Sequence, residues 1–115
     1  VTSPQRRKGS AFEREIVSFL RDHGFPYAER AYGAGRPADV GDINGVAGFV
    51  LEAKCHKTID LAGWAAEAAA EAVNARASWW AVIAKRRNRP IEDAYVVMPL
   101  GQFAKLLAED EEAVA

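Results

Sequence analysis

The chain has 115 residues, half of them hydrophobic and 27% charged, which suits one domain (residues 1–115) with a modest core and argues against disorder. Its formal net charge of -1 hides a gradient: residues 91–115 hold six acids and one base, which leaves 14 bases against 10 acids in the first ninety residues. The lone cysteine, Cys55, excludes an internal disulfide, no apolar run is long enough to span a membrane and no secretory leader is visible, so a soluble cytoplasmic protein is expected.

Residues 1–8 are polar and basic without periodicity and read as a flexible arm. Ser10 then reads as a helix cap, since Ser10-Ala11-Phe12-Glu13 fits a capping box and Gly24 a stop. Phe12, Ile16, Val17, Phe19 and Leu20 form the apolar face. Glu13 falls within that arc at about 100° per residue, Glu15 lies near its edge and Arg14 lies opposite. An acid among core-facing residues needs a partner. The capping box with Ser10 is one, a shared metal is another, and the two are compatible.

Residues 25–32 read as a strand, and Tyr32-Gly33-Ala34-Gly35-Arg36-Pro37 as a turn. Two strands follow, 42–44 and 48–54, joined by a tight turn with Gly45 and Gly48 at its margins. Asp60 is a candidate cap for a helix over 61–77, rich in alanine, with Glu67 and Glu71 one turn apart. Residues 79–84 form a buried-type strand, 85–90 a basic loop, 94–98 a strand and 102–108 a closing helix. The acidic stretch 109–115 is expected to fray. The order α-β-β-β-α-β-β-α implies a mixed central sheet flanked by helices, in the α/β (α+β) class.

The segment 42–54 carries the chemistry. Charge is costly in a sheet unless it is paired or ligates a cation. Glu52 and Lys54 interrupt the end of an apolar strand, and residues two apart project from one face. A turn centred near Ala47 sets Asp42 opposite Glu52, where directly opposed Cβ atoms lie ~5 Å apart. Two carboxylates and one ammonium then share a spot. A hard divalent cation relieves the repulsion between the carboxylates, and Mg2+ favours one or two of them plus waters and phosphate oxygens. With Lys54 orienting water or neutralising charge on phosphate, these parts suffice for phosphodiester hydrolysis. An acid-x-lysine triplet alone is a weak signal; the apolar run before it, the Gly-flanked hairpin and the upstream acid strengthen it.

Arg7-Lys8-Gly9-Ser10-Ala11-Phe12-Glu13-Arg14-Glu15, with Asp42 and Glu52-Ala53-Lys54, resembles the archaeal and phage-type Holliday junction resolvases of the PD-(D/E)XK nuclease superfamily over roughly residues 6–107. The resemblance implies a restriction-endonuclease-like fold and a homodimeric, Mg2+-dependent endonuclease (Mn2+ as substitute) that resolves branched DNA in recombination and repair, in a prokaryotic cell or a phage-infected host. It implies Glu13, Asp42 and Glu52 as metal ligands, Lys54 as completing the catalytic set, and Arg7, Lys8 and Arg14 as DNA contacts. Arg36 and Lys57 join these as expected contacts, and Lys85, Arg86 and Arg87 are expected on backbone phosphates. Asp39, 13 residues before Glu52, is the alternative to Asp42, which the short turn favours. Gly33-Ala34-Gly35 lacks a serine often found there in the archaeal enzymes. His56 is a candidate for proton transfer or phosphate contact, or a solvated loop residue. Trp64 belongs to a close contact with a second surface or to packing on its own sheet; Trp79 and Trp80 belong to the core or to base stacking. The alternatives in function are a nuclease of the same superfamily with another DNA substrate, and a non-catalytic DNA-binding module of the same fold.

Overall fold

A computed structural model describes residues 3–31 and 41–114. The turn containing Arg36, together with Asp39, lies outside the described residues. The order is helix α1 (Pro4–Asp22), strands β1 (Glu29–Arg30), β2 (Ile43–Asn44) and β3 (Phe49–Lys54), helix α2 (Leu61–Ala75), strand β4 (Trp79–Ala84), a 3-10 turn (Ile91–Asp93), strand β5 (Tyr95–Val97) and helix α3 (Leu100–Val114). This is the mixed α/β order read from the sequence. The sheet runs β1-β2-β3-β4-β5. Only β3 and β4 are parallel, joined through α2, and the other neighbours are antiparallel.

The first helix begins seven residues before its expected start. Ser3, not Ser10, is the cap: its side chain accepts from the Arg6 N–H at 3.1 Å, and Pro4 occupies the first turn. Proline is favoured there because its missing N–H has no helical partner to lose. Residues 4–8, expected as an arm, are therefore helical, and Gly9 is absorbed into the helix interior at a cost of about 1 kcal/mol relative to alanine. Ser10 instead accepts from Arg30 Nη2 at 3.1 Å. At the other end, α3 extends to Val114, through much of the stretch expected to fray. The strand expected over 25–32 shrinks to Glu29–Arg30. The Phe25 N–H returns to the Leu20 carbonyl and the Ala28 N–H to that of Phe25, so this backbone closes the helix instead of joining the sheet.

The two faces of the sheet are covered separately. Phe12, Ile16 and Val17 of α1 pack with Ile43, Leu51 and Ala81. Trp64 and Ala68 of α2 pack with Val82 and Ala84. Leu51 pairs with Ala81, and Glu52 with Val82, so strand alternation sends Leu51 towards α1 and Glu52 and Lys54 towards α2. Trp64 thus belongs to the molecule's own core. Trp80 packs at the margin of that cluster, and Trp79 tilts against Phe49 with ring centroids 6.4 Å apart.

Gln102 completes the sheet where β5 ends. Its amide donates to the Trp80 carbonyl at 2.8 Å and accepts from the Trp80 N–H at 3.2 Å. A side-chain amide thereby stands in for a strand residue and spares β4 an unpaired peptide. No helix among the described residues is long and apolar enough to cross a membrane.

Candidate active site

The hairpin β2–β3 has the register expected of it. Ile43 pairs with Leu51, and one step further along the ladder sets Asp42 beside Glu52. Asp42 is also tied to β3 by its own groups. Its N–H donates to the Leu51 carbonyl at 2.9 Å, and its Oδ2 accepts from the Ala53 N–H at 2.8 Å. Gly41 makes this approach possible: its φ is +97°, and a Cβ there would press on Val50 Cγ1 at 2.9 Å. The carboxylate replaces a ladder carbonyl, which pins it at the end of the sheet.

Glu52 is 3% exposed. Its Oε2 lies 3.6 Å from Lys54 Nζ, and its Oε1 has no hydrogen-bond partner among the described residues. Burial, then proton sharing with Glu71 and the negative charge of Asp42, pushes its carboxyl up to about 11. Burial also raises Asp42, with the charge of Glu13 adding to the shift and the Ala53 N–H opposing it. Burial pulls Lys54 down, but Glu67, Glu52 and Asp42 outweigh it, so the ammonium ends above its usual value. A buried cluster whose donors are carboxylate oxygens only has the donor set of a hard metal.

Glu13 reaches this cluster from the other side. It sits on α1, opposite the face that bears Glu52, and bonds Arg30 Nε at 3.0 Å. Its charge acts on Asp42. Asp42, Glu52 and Lys54 are thus brought together, while Glu13 acts on Asp42 through its charge and pairs with Arg30. On the opposite flank α2 adds two acids to which the sequence pattern assigns no role. Among the described residues, Glu52, Glu67 and Glu71 place one oxygen each within 4.8 Å of the others, and Glu67 bonds Lys54 Nζ at 2.9 Å. The i, i+4 spacing on the helix after the Glu-x-Lys strand was the available signal.

Lys54 also opens onto a cleft of about 740 Å³ lined by Lys8, Lys57, Lys85, Arg86 and Arg87, with His56 in its wall. Lys85 lies 3.3 Å from Glu15, the Arg86 guanidinium stacks on Tyr95 at 4.7 Å, and His56 tilts against Trp64 at 5.9 Å. Arg7 and Arg14, on the same helix as Lys8, do not line this cleft.

A five-stranded mixed sheet between helices, with an aspartate and a Glu-x-Lys pair on adjacent strand ends, has the architecture of the restriction-endonuclease-like nucleases. Residues 4–63 match the family model described as archaeal Holliday junction resolvase (Hjc). The chain belongs to that family, a family of nucleases that act on DNA. Searches of curated proteins and of solved structures returned no match.

Proposed function

We propose that this chain is a divalent-cation-dependent endonuclease that cuts four-way DNA junctions as a homodimer. The observation that carries the reading is the position of Lys54. It is paired with Glu52 at 3.6 Å and at the same time forms part of the wall of the basic cleft, so the acidic cluster and a surface suited to phosphates meet at one side chain.

Glu52, Asp42 and Glu13 would hold Mg2+ or Mn2+; Asp39 is the alternative to Asp42. Bound there, the cation supplies Lewis-acid polarisation of the scissile phosphate and a water acidified towards neutral pH. Lys54 holds positive charge at the cleft wall, where it stabilises charge building on the phosphate oxygens. Lys8, Lys57, Lys85, Arg86 and Arg87 engage backbone phosphates, which favours recognition of shape over sequence. Arg7 and Arg14 extend the basic surface along the DNA, and Arg36 is kept as a further expected contact. The junction substrate and the dimer rest on the family, whose resolving activity calls for two cuts on opposed strands.

The test is cleavage of labelled junction, duplex and single-stranded DNA with and without Mg2+, comparing the natural chain with Glu52→Gln. Paired nicks in the junction, little cutting of duplex, and loss of cutting with retained binding in the variant are expected. Undiminished cutting by Glu52→Gln removes the mechanism; tight junction binding without cleavage under any divalent cation makes the chain a binding module.

A further inference from the structure

The sheet sets two further residues in line with Lys54. Lys54 pairs with Ala84 on β4, and Ala84 with Tyr95 on β5; direct partners in a ladder project to one face. Lys54, Ala84 and Tyr95 therefore form a row on the α2 side of the sheet, the outer two about 10 Å apart over two strand spacings. All three line the cleft. Ala84 is buried with Trp64, and its short side chain leaves the space between the ammonium and the ring unfilled. Tyr95 is 51% exposed and Ile59, in the same cleft, 59%. The Arg86 guanidinium lies over the Tyr95 ring, 4.7 Å from its centroid. An aromatic and an aliphatic surface thus stand among Lys8, Lys57 and Lys85. A duplex backbone would satisfy those cations and leave the apolar surfaces bare. A nucleobase has a flat face that fits them and brings its own phosphates to the lysines.

We propose that this cleft seats one nucleotide of the DNA substrate, its base unstacked from the duplex and laid against Tyr95 and Arg86, its phosphate towards Lys54. The proposal rests on the nuclease reading above and names what that site selects. The cleft, about 740 Å³, falls in the range that holds a group of this size, about 300–1,000 Å³. Inside a continuous duplex a base has stacking neighbours on both sides, and drawing it out forfeits both. At a branch the helices end, a base lacks a neighbour, and the cost falls. Stacking accepts the face of any base, so the seat favours branched over continuous DNA without reading sequence. Trp79 and Trp80, whose sequence position allows base stacking, do not line the cleft. The aromatic that does so from the sheet edge is Tyr95, to which no sequence pattern assigns a role.

The test is binding, in chelator so that no strand is cut, of a four-way junction and of a continuous duplex by the natural chain, Tyr95→Thr and Tyr95→Phe. Threonine suits a strand and carries no ring; phenylalanine keeps the ring. Each protein is also given junctions that lack one base, at each position beside the branch in turn. Tyr95→Thr is expected to weaken junction binding about 5–150-fold and duplex binding less than about twofold, with Tyr95→Phe near the natural chain on both. On one of the junctions lacking a base, Tyr95→Thr and the natural chain should bind alike. An equal loss on junction and duplex, a loss that persists on every such junction, or no loss at all overturns the base seat. If Tyr95→Thr does not fold, 5-iodouracil beside the branch carries the test with the natural chain. Photocross-linking to Tyr95 from a branch position but not from the middle of an arm supports the seat, and any other pattern overturns it. Mg2+-dependent cutting of the junction with a failed seat leaves the nuclease reading intact, whereas no junction binding by the natural chain overturns both.

Discussion

The Lys54 ammonium lies 2.9 Å from the Glu67 carboxylate, a residue from a different element and 13 positions away. The closer partner of the Glu-x-Lys lysine is thus the helix acid, and its own motif glutamate stands further off, at 3.6 Å. Three acids hold the lysine protonated against its burial. Lys54→Met, which keeps the aliphatic stem, is expected to slow junction cleavage by about 10²–10³-fold, with binding changed only a few-fold. Any fall in rate below pH 10 belongs to another group, because Lys54 titrates above its normal value. Single-turnover cleavage across pH checks both statements; a variant that cuts at the natural rate removes Lys54 from the reaction.

The carboxyl of Glu52, raised to about 11 by burial and by its acidic neighbours, makes the metal-free protein sensitive to pH in a definite direction. The folded state keeps a proton that the unfolded chain releases near 4.5. This contribution is complete below pH 4.5 and is lost as pH rises towards 11. Asp42, also raised, acts with the same sign. Glu52→Gln removes the largest part of the slope, so the variant should be more stable than the natural chain at pH 8 in chelator and closer to it at pH 4.5. Urea denaturation in EDTA at both pH values measures this. A natural chain whose stability rises with pH between 5 and 8 in EDTA contradicts the buried, protonated Glu52.

Much of this site is legible in the sequence. The glycines at the margins of the turn and the alternation of 48–54 allow one register, and Ile43 pairs with Leu51 accordingly. Glu67 and Glu71 escape assignment for a physical reason: a helix of alanines has small side chains on every face, so no apolar stripe says which side turns inward. Only packing shows that Trp64, Ala68 and Glu71 belong to the buried set. The start of α1 is hard to place because Gly9 and a run of bases carry no periodicity; the signal that marks it is Ser3-Pro4, a cap followed by proline. Glu13 reads as capped by Ser10; instead Arg30 reaches both of them, a contact between residues 17 and 20 positions apart that no local pattern encodes.

The basic wall of the cleft sets how affinity responds to salt. Each phosphate contact removed should reduce the slope of log K against log [salt] by about 0.9 on duplex arms. Lys85 and Arg87 are expected to behave so, and the triple variant Lys57→Ala, Lys85→Ala, Arg87→Ala should flatten the slope by roughly 2–3. Arg86 carries an added effect: its guanidinium lies on the Tyr95 ring, and Arg86→Ala also bares that aromatic face. Junction binding measured between 50 and 200 mM salt checks the slopes. An unchanged slope in the triple variant places the DNA on another face.

Gly45 and Gly9 differ in what a methyl group would meet. Gly45 has φ +92°, and a Cβ there would run into the Tyr27 carbonyl, in the turn that leads into β1. Gly45→Ala therefore combines a left-handed backbone with a clash against main chain that has no rotamer to yield, and should cost roughly 2–4 kcal/mol. It should also loosen β1 from β2, and through β2 the carboxylate of Asp42. Gly9 lies inside α1, where an added methyl would meet nothing within 4 Å among the described residues, so Gly9→Ala should gain about 0.5–1 kcal/mol from the stiffer unfolded chain. Urea midpoints at one pH compare the two directly. A Gly45→Ala protein as stable as the natural chain would mean that β1 and β2 do not approach as closely as the Tyr27 contact requires.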